Sequence, residues 1–248
     1  MTTFQMTDTV GDIVTRDPGL ARVFEKLRID YCCGGQRSLE EACAEAGADP
    51  QEVLRRLDQE AARGAGSSEP NVAEMSLTGL IGHIESTHHE LLRRELPRLR
   101  QLTAKVAGVH GEKDGRLAEV RDVLHVLADE LESHMGKEER ILFPMIRELD
   151  RTDGPVAFHC GSLANPIRQM EVEHDGAGDA LARLRSLTDD FTVPEWGCTT
   201  YLTTLAGLEE LEGDLHRHVH KENNVLFPRA IAEEARRGAV STAESACG

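Results

Sequence analysis

Two stretches of this chain carry a histidine and a glutamate at a chelating spacing. The first reads His134-Met135-Gly136-Lys137-Glu138-Glu139-Arg140-Ile141-Leu142-Phe143-Pro144, and the second His218-Val219-His220-Lys221-Glu222-Asn223-Asn224-Val225-Leu226-Phe227-Pro228. Both fit H-x-x-K-E-x-x-[IV]-L-F-P, with the histidine and glutamate four apart, so on a helix one turn separates them and they share a side. A single such pair is most often a surface contact worth a few tenths of a kcal/mol. Here it recurs, and each copy has a companion upstream: His89 lies 45 residues before His134, and His174 lies 44 before His218. The chain therefore offers two half-sites, each a lone histidine followed one helix later by a histidine-glutamate pair. Metal binding is the chemistry this pattern serves best.

The donor set narrows the ion. Imidazole with carboxylate suits Fe, Mn, Zn or Cu, and the lack of cysteine in the set argues against a structural zinc or an iron-sulfur cluster. Two glutamates able to bridge, with four histidines, favour a pair of metals. If both bridge, the protein fills about eight of roughly twelve positions around two octahedral ions and leaves the rest for an oxo or hydroxo bridge and outside ligands.

Four helices must position these groups, as in bundles with carboxylate-bridged metal pairs. Leu77, Leu80, Ile81, Ile84 and Leu91 follow helical spacing and predict a first long helix from about Ser76 towards Ala107, bent at Pro97. His89 is on it; His88, about 100° away, is the alternative ligand if the register slips by one. A second helix is expected over 116–147, a third from Pro166 and a fourth from about Pro194, joined by polar breaks at 110–115 and 150–166. Glu130 and Asp214 each stand four residues before a ligand histidine and are candidates to orient imidazole or relay protons, against the plainer reading of solvated helix charge. Glu173, beside His174, joins them as a supporting acid, read with Asp175 as solvated or lining an entrance. His216 and His220 sit two either side of His218 and are expected to face solvent.

Ahead of this bundle domain (76–236), residues 1–62 predict a small domain of short helices. Its start signals are Asp17-Pro18, a Ser38/Glu41 capping box and Asp49-Pro50. Between two of these helices lies Ile29-Asp30-Tyr31-Cys32-Cys33-Gly34-Gly35. The glycine pair frees the backbone to turn, and Cys32 and Cys33 are either a buried turn or redox or metal-delivery thiols whose pKa neighbouring backbone N–H groups lower. Residues 63–75, small, polar and broken by Pro70, are expected to be a flexible linker, and 237–248 a disordered tail.

Composition sets outer limits. The 248 residues carry a net charge of -16, which disfavours nucleic acid and anionic membrane surfaces as partners. There is no run of about 18 apolar residues and no cationic leader, which points to a cytoplasmic protein. Six cysteines lack the spacing of a disulfide or zinc framework, and few aromatics with abundant Ala, Leu, Glu and Arg point to an all-α fold.

With those residues in place, the chain resembles the bacterial iron-sulfur cluster repair di-iron proteins, the repair of iron centres family. The resemblance rests on Asp30 to Gly35 (D-Y-C-C-G-G), His134 to Glu138, Glu173 to Asp175, and Glu222 to Arg229 (E-N-N-V-L-F-P-R), and covers nearly the whole chain. It implies a haemerythrin-like antiparallel four-helix bundle behind a small helical domain, with two iron ions on His89, His134, Glu138, His174, His218 and Glu222. It further implies NO and O2 as small ligands, damaged iron-sulfur proteins as targets, a stress-response role by iron donation or nitric oxide reduction, and a homodimer as one arrangement. A haemerythrin-type dioxygen or redox sensor or carrier is the other function class the pattern admits.

Overall fold

The computed structural model describes residues 4–63, 70–152, 154 and 156–245, with side chains through 238. The described residues are all-α: Val10–Arg16 (α1), Ala21–Leu27 (α2), Leu39–Ala46 (α3), Pro50–Ala62 (α4), Leu77–Ile84 (α5), Glu90–His110 (α6), Arg116–Lys137 (α7), Phe143–Arg151 (α8), Ala164–Leu187 (α9), Thr199–Lys221 (α10) and Phe227–Ser245 (α11). The chain divides into two compact units, 1–82 with 145–165 and 216–248, and 83–144 with 166–215.

The second unit is the four-helix bundle. Leucines recur at helical spacing on each rod, among them Leu92, Leu96 and Leu99 on α6, Leu124, Leu127 and Leu131 on α7, Leu181 and Leu184 on α9, and Leu205, Leu208 and Leu211 on α10, and they close one dry core. A five-residue connection, capped where Lys113 and Asp114 N–H groups reach the carbonyl of His110, returns α7 antiparallel to α6. In the turn after α9, Asp189, Asp190 and Phe191 are all left-handed, with φ of 48°, 63° and 56°. Phe191 is buried there under the Arg185 guanidinium, 4.7 Å from its ring.

In the first unit Val10, Ile13, Leu20, Phe24, Tyr31, Leu39 and Leu57 form the core. The capping box at the start of α3 has both its bonds, Ser38 Oγ accepting from Glu41 N–H and Glu41 Oε2 from Ser38 N–H. Asp49 caps α4 through Gln51 N–H. Residues 64–69 of the expected linker lie outside the described residues; beyond them Val72–Glu74 form a 3-10 turn capped by Asn71, with Val72 buried. The terminal helix continues through Ser245, past the point where a tail was expected.

Three places depart from α geometry. Glu85–His89, Glu138–Leu142 and Glu222–Leu226 are single π-turns inserted without a break into the helices around them, each closed by an i→i+5 bond, as from Phe143 N–H to Glu138 O. One extra residue per π-turn rotates the downstream stretch of helix by about 100°. Each π-turn begins or ends on a residue of the metal pattern.

Candidate metal centre

Glu138 is the middle of the site in the bundle unit. Its side chain has no exposed surface, and neither carboxylate oxygen accepts a hydrogen bond. Instead His89 Nε2 lies 3.3 Å from Oε2 and His134 Nε2 3.3 Å from Oε1, while His174 Nε2 lies 3.1 Å from His134 Nε2. His134, Glu138 and His174 each bring one donor atom within 4.8 Å of the others.

The tautomers follow from the outer contacts. His89 Nδ1 is 2.6 Å from Glu139 Oε1 and His134 Nδ1 is 2.9 Å from Glu173 Oε2; a carboxylate accepts, so both Nδ1 atoms carry a proton, and in the neutral imidazole both Nε2 atoms then present lone pairs. Lone pairs aimed at a buried carboxylate repel it unless a cation stands between them. Donors about 2.0–2.2 Å from a common ion and near right angles are about 3 Å apart, which is the separation found. The residues present fit a metal cation.

Two of the supporting acids are held firmly ionised. Burial raises Glu173, yet hydrogen bonds from Lys137 Nζ (2.6 Å), Gln169 Nε2 (3.0 Å) and His134 outweigh it and hold the carboxyl at about 2. Glu139 is likewise pushed up by burial and brought below the usual range by Arg93, 2.5 Å away, and His89. Their negative charge raises the basicity of the imidazoles they hold.

The second copy repeats the first. His218 Nε2 and Glu222 Oε1 are 3.2 Å apart and 2% and 0% exposed, and Glu222 opens its π-turn as Glu138 does.

Of His88 and His89, it is His89 whose Nε2 faces Glu138. Both are buried, because the π-turn brings each inward, but His88 Nδ1 is bound to Asp214 Oδ1 at 2.9 Å. Asp214 thus orients His88, not the His218 four residues after it as expected. Glu130 is exposed at the margin of the α7 stripe formed by Leu127, Leu131 and His134, so it stands as solvated charge. Glu173, expected as a supporting acid beside His174, instead bonds the imidazole of His134 on α7. Glu139 was missed; its one trace in the sequence is Arg93, four residues after His89 and able to pair with it.

Two expectations in the first unit are overturned. His220 is 4% exposed and His216 half-buried, not solvent-facing, because Tyr31 packs against both rings at 5.6 and 6.2 Å. Asp30 takes the backbone N–H groups expected to lower the Cys32 pKa: Oδ1 accepts from Cys32 N–H and Cys33 N–H, and Oδ2 from Gly34 N–H. Cys32 is pushed well up by its contact with the Cys33 sulfur, by burial and by the Asp30 charge, so it stays a thiol. Asp30, Cys32 and Cys33 bring donor atoms within 4.8 Å of one another, but the Asp30 oxygens are already engaged. Gly34 and Gly35 turn without positive φ; among described glycines only Gly47 and Gly161 have it.

A cation-binding four-helix bundle behind a small helical domain is the class of protein that fold and donor set define. Residues 80–230 match the haemerythrin HHE cation binding domain, and 6–61 match ScdA_N, a domain of unknown function (DUF542). The chain is 37% identical over 226 residues to the iron-sulfur cluster repair protein YtfE of Dickeya chrysanthemi (strain Ech1591), covering 91% of this chain and 97% of that one. It is 38% identical, at the same coverage, to the protein of that name from Enterobacter sp. (strain 638). It is 34% identical over 225 residues to a probable iron-sulfur cluster repair protein of Haemophilus influenzae (strain ATCC 51907 / DSM 11121 / KW20 / Rd), covering 91% and 97%. The chain belongs to the iron-sulfur cluster repair protein family. Among the described residues no helix is long and apolar enough to cross a membrane.

Proposed function

We propose that this chain is a cytoplasmic, non-haem di-iron protein that restores iron-sulfur clusters damaged by nitrosative or oxidative stress. His89, His134, Glu138, His174, His218 and Glu222 are the residues that would hold the iron. The observation that carries the reading is Glu138, a carboxylate with no exposed surface, no hydrogen bond on either oxygen and an imidazole nitrogen 3.3 Å from each. The matched spacing, separation and π-turn of His218 and Glu222 support their role as the equivalent half. The names of the relatives support repair as the task and iron as the metal.

When bound, the two ions supply electrons and free positions for nitric oxide or dioxygen. The chain's own residues do the rest. Glu139 and Glu173 keep the Nδ1 protons in place and the Nε2 lone pairs available. Phe143 stacks on His89 at 5.7 Å and helps keep water from its ring. Two modes of repair are open to such a centre, iron donation and binding with reduction of nitric oxide.

Elemental analysis with an ultraviolet-visible spectrum of freshly purified protein tests the proposal. Two irons per chain are expected, and loss of iron in Glu138→Ala and His174→Ala; a wild type with one ion or none defeats it. Nitrous oxide formed in a single turnover of reduced protein marks the reductive mode, and reconstitution of an apo-cluster protein without it marks donation. Reversible oxygenation without either would turn the reading to a dioxygen carrier.

A further inference from the structure

One side chain ties the Cys32-Cys33 loop to the second His-Glu copy. Asn224 stands two residues after Glu222 in the same π-turn. Its Nδ2 donates to the carbonyls of Tyr31 at 3.2 Å and Cys32 at 2.9 Å, and Gln36 Nε2 reaches its Oδ1 at 3.4 Å. It comes this close because positions 11 and 35 have no side chain: a Cβ on Gly35 would lie 2.2 Å from Asn224 Oδ1, and one on Gly11 2.8 Å. Gly11 N–H donates to Gly35 O at 2.9 Å, so α1 and the loop form one seat. His220, one turn before Asn224, closes the same seat between Thr15 Oγ1 (3.3 Å) and the carbonyl of Tyr31 (3.4 Å).

The segment that carries a proposed metal ligand is therefore the segment that holds the cysteine loop shut. A ligand bond on Glu222 restrains the first residue of a π-turn, a conformation that a one-residue shift in hydrogen bonding converts to α. Such a shift would swing Asn224 by about 100° and withdraw both its N–H bonds from the loop. We infer that Asn224 is a positioning residue that makes the exposure of Cys32 depend on metal at Glu222. The inference rests on the metal reading above, whereas the clamp itself rests on contacts within one unit.

Alkylation by iodoacetamide, read cysteine by cysteine with peptide mass spectrometry, tests it on the full chain in metal-loaded and chelator-stripped forms. In the loaded wild type Cys32 reacts slowly, and stripping speeds it about tenfold, the equivalent of one or two hydrogen bonds lost from the closed loop. Loaded Asn224→Ala reacts as fast as stripped wild type and no longer responds to stripping. Asn224→Asp, equal in size but without the two donors, behaves as Asn224→Ala, and Gly35→Ala does so by displacing Asn224 from the other side. Cys43, fully buried in the core of the same unit, stays protected throughout. The inference is overturned if Cys32 reacts equally in loaded wild type and Asn224→Ala, or if Cys43 opens in step with Cys32. Metal content of the same samples separates the failures: no metal in the wild type defeats the di-iron reading, whereas full metal with Cys32 indifferent to stripping defeats the coupling alone.

Discussion

At the scale of single residues, Glu173 and Glu139 hold two of the histidines proposed as ligands. Neither is proposed to touch metal, yet each fixes a tautomer from 2.9 and 2.6 Å. Glu173→Gln and Glu139→Gln should each weaken metal affinity by roughly 10- to 100-fold with the ligand set intact, measured by competition with a chromophoric chelator; unchanged affinity would show the acids idle. A different residue governs thiol chemistry. Cys198, exposed at the start of α10, is brought down to about 7 by the backbone N–H of Tyr201, then by His110, whose Nε2 is 3.2 Å from its sulfur. Its alkylation rate should rise through about pH 7, as thiolate replaces thiol, and His110→Ala should move that rise upward. The two His-Glu pairs among the six positions proposed as ligands were legible because spacing along a helix is a local property. Glu139 was not, because its imidazole partner comes from another helix. Glu173 was legible as a supporting acid, but not which imidazole it holds, since its partner His134 stands on α7.

Elements show the same divide between local and distant information. The capping box at Ser38, the start of α4 at Asp49 and the leucine stripes of the bundle are written in neighbouring residues and are found where those residues put them. Ser38→Ala should cost about 1 kcal/mol and lower Tm by roughly 2–4 °C, read by calorimetry. The Ser38 backbone and side-chain bonds hold the Glu41 carboxyl below its usual range. With a folded pKa depressed, this contribution is present above the unfolded carboxylate pKa and fades as pH falls through the folded one; a Ser38→Ala effect equally large at pH 2 and pH 7 would contradict it. The π-turns were illegible. A 3.6-residue period cannot register a single inserted residue, which is why His88 and His89 competed for one role and proved buried in two. The seat of Asn224 was equally hidden, since Gly11 and Gly35 meet it from across the fold.

For the whole molecule, metal should act as a stabiliser as well as a cofactor. An ion at 100 times its Kd adds about 2.7 kcal/mol to the folded state, so chelation should lower Tm by roughly 5–10 °C at 2–4 °C per kcal/mol, and readdition of Fe(II) should restore it. Equal melting with and without metal would leave the buried Glu138 carboxylate without its counter-charge. The order in which the chain is made has a consequence of its own. The bundle unit is complete once Leu215 has been added, but the other unit waits for the stretch that begins at His216. Asn224 comes 192 residues after Cys32. At about 5–20 residues per second on the ribosome, the loop with Cys32 and Cys33 waits roughly 10 to 40 s for the bonds of Asn224 to the carbonyls of Tyr31 and Cys32, so on the proposed clamp Cys32 meets oxidants less protected in the nascent chain than in the folded unit.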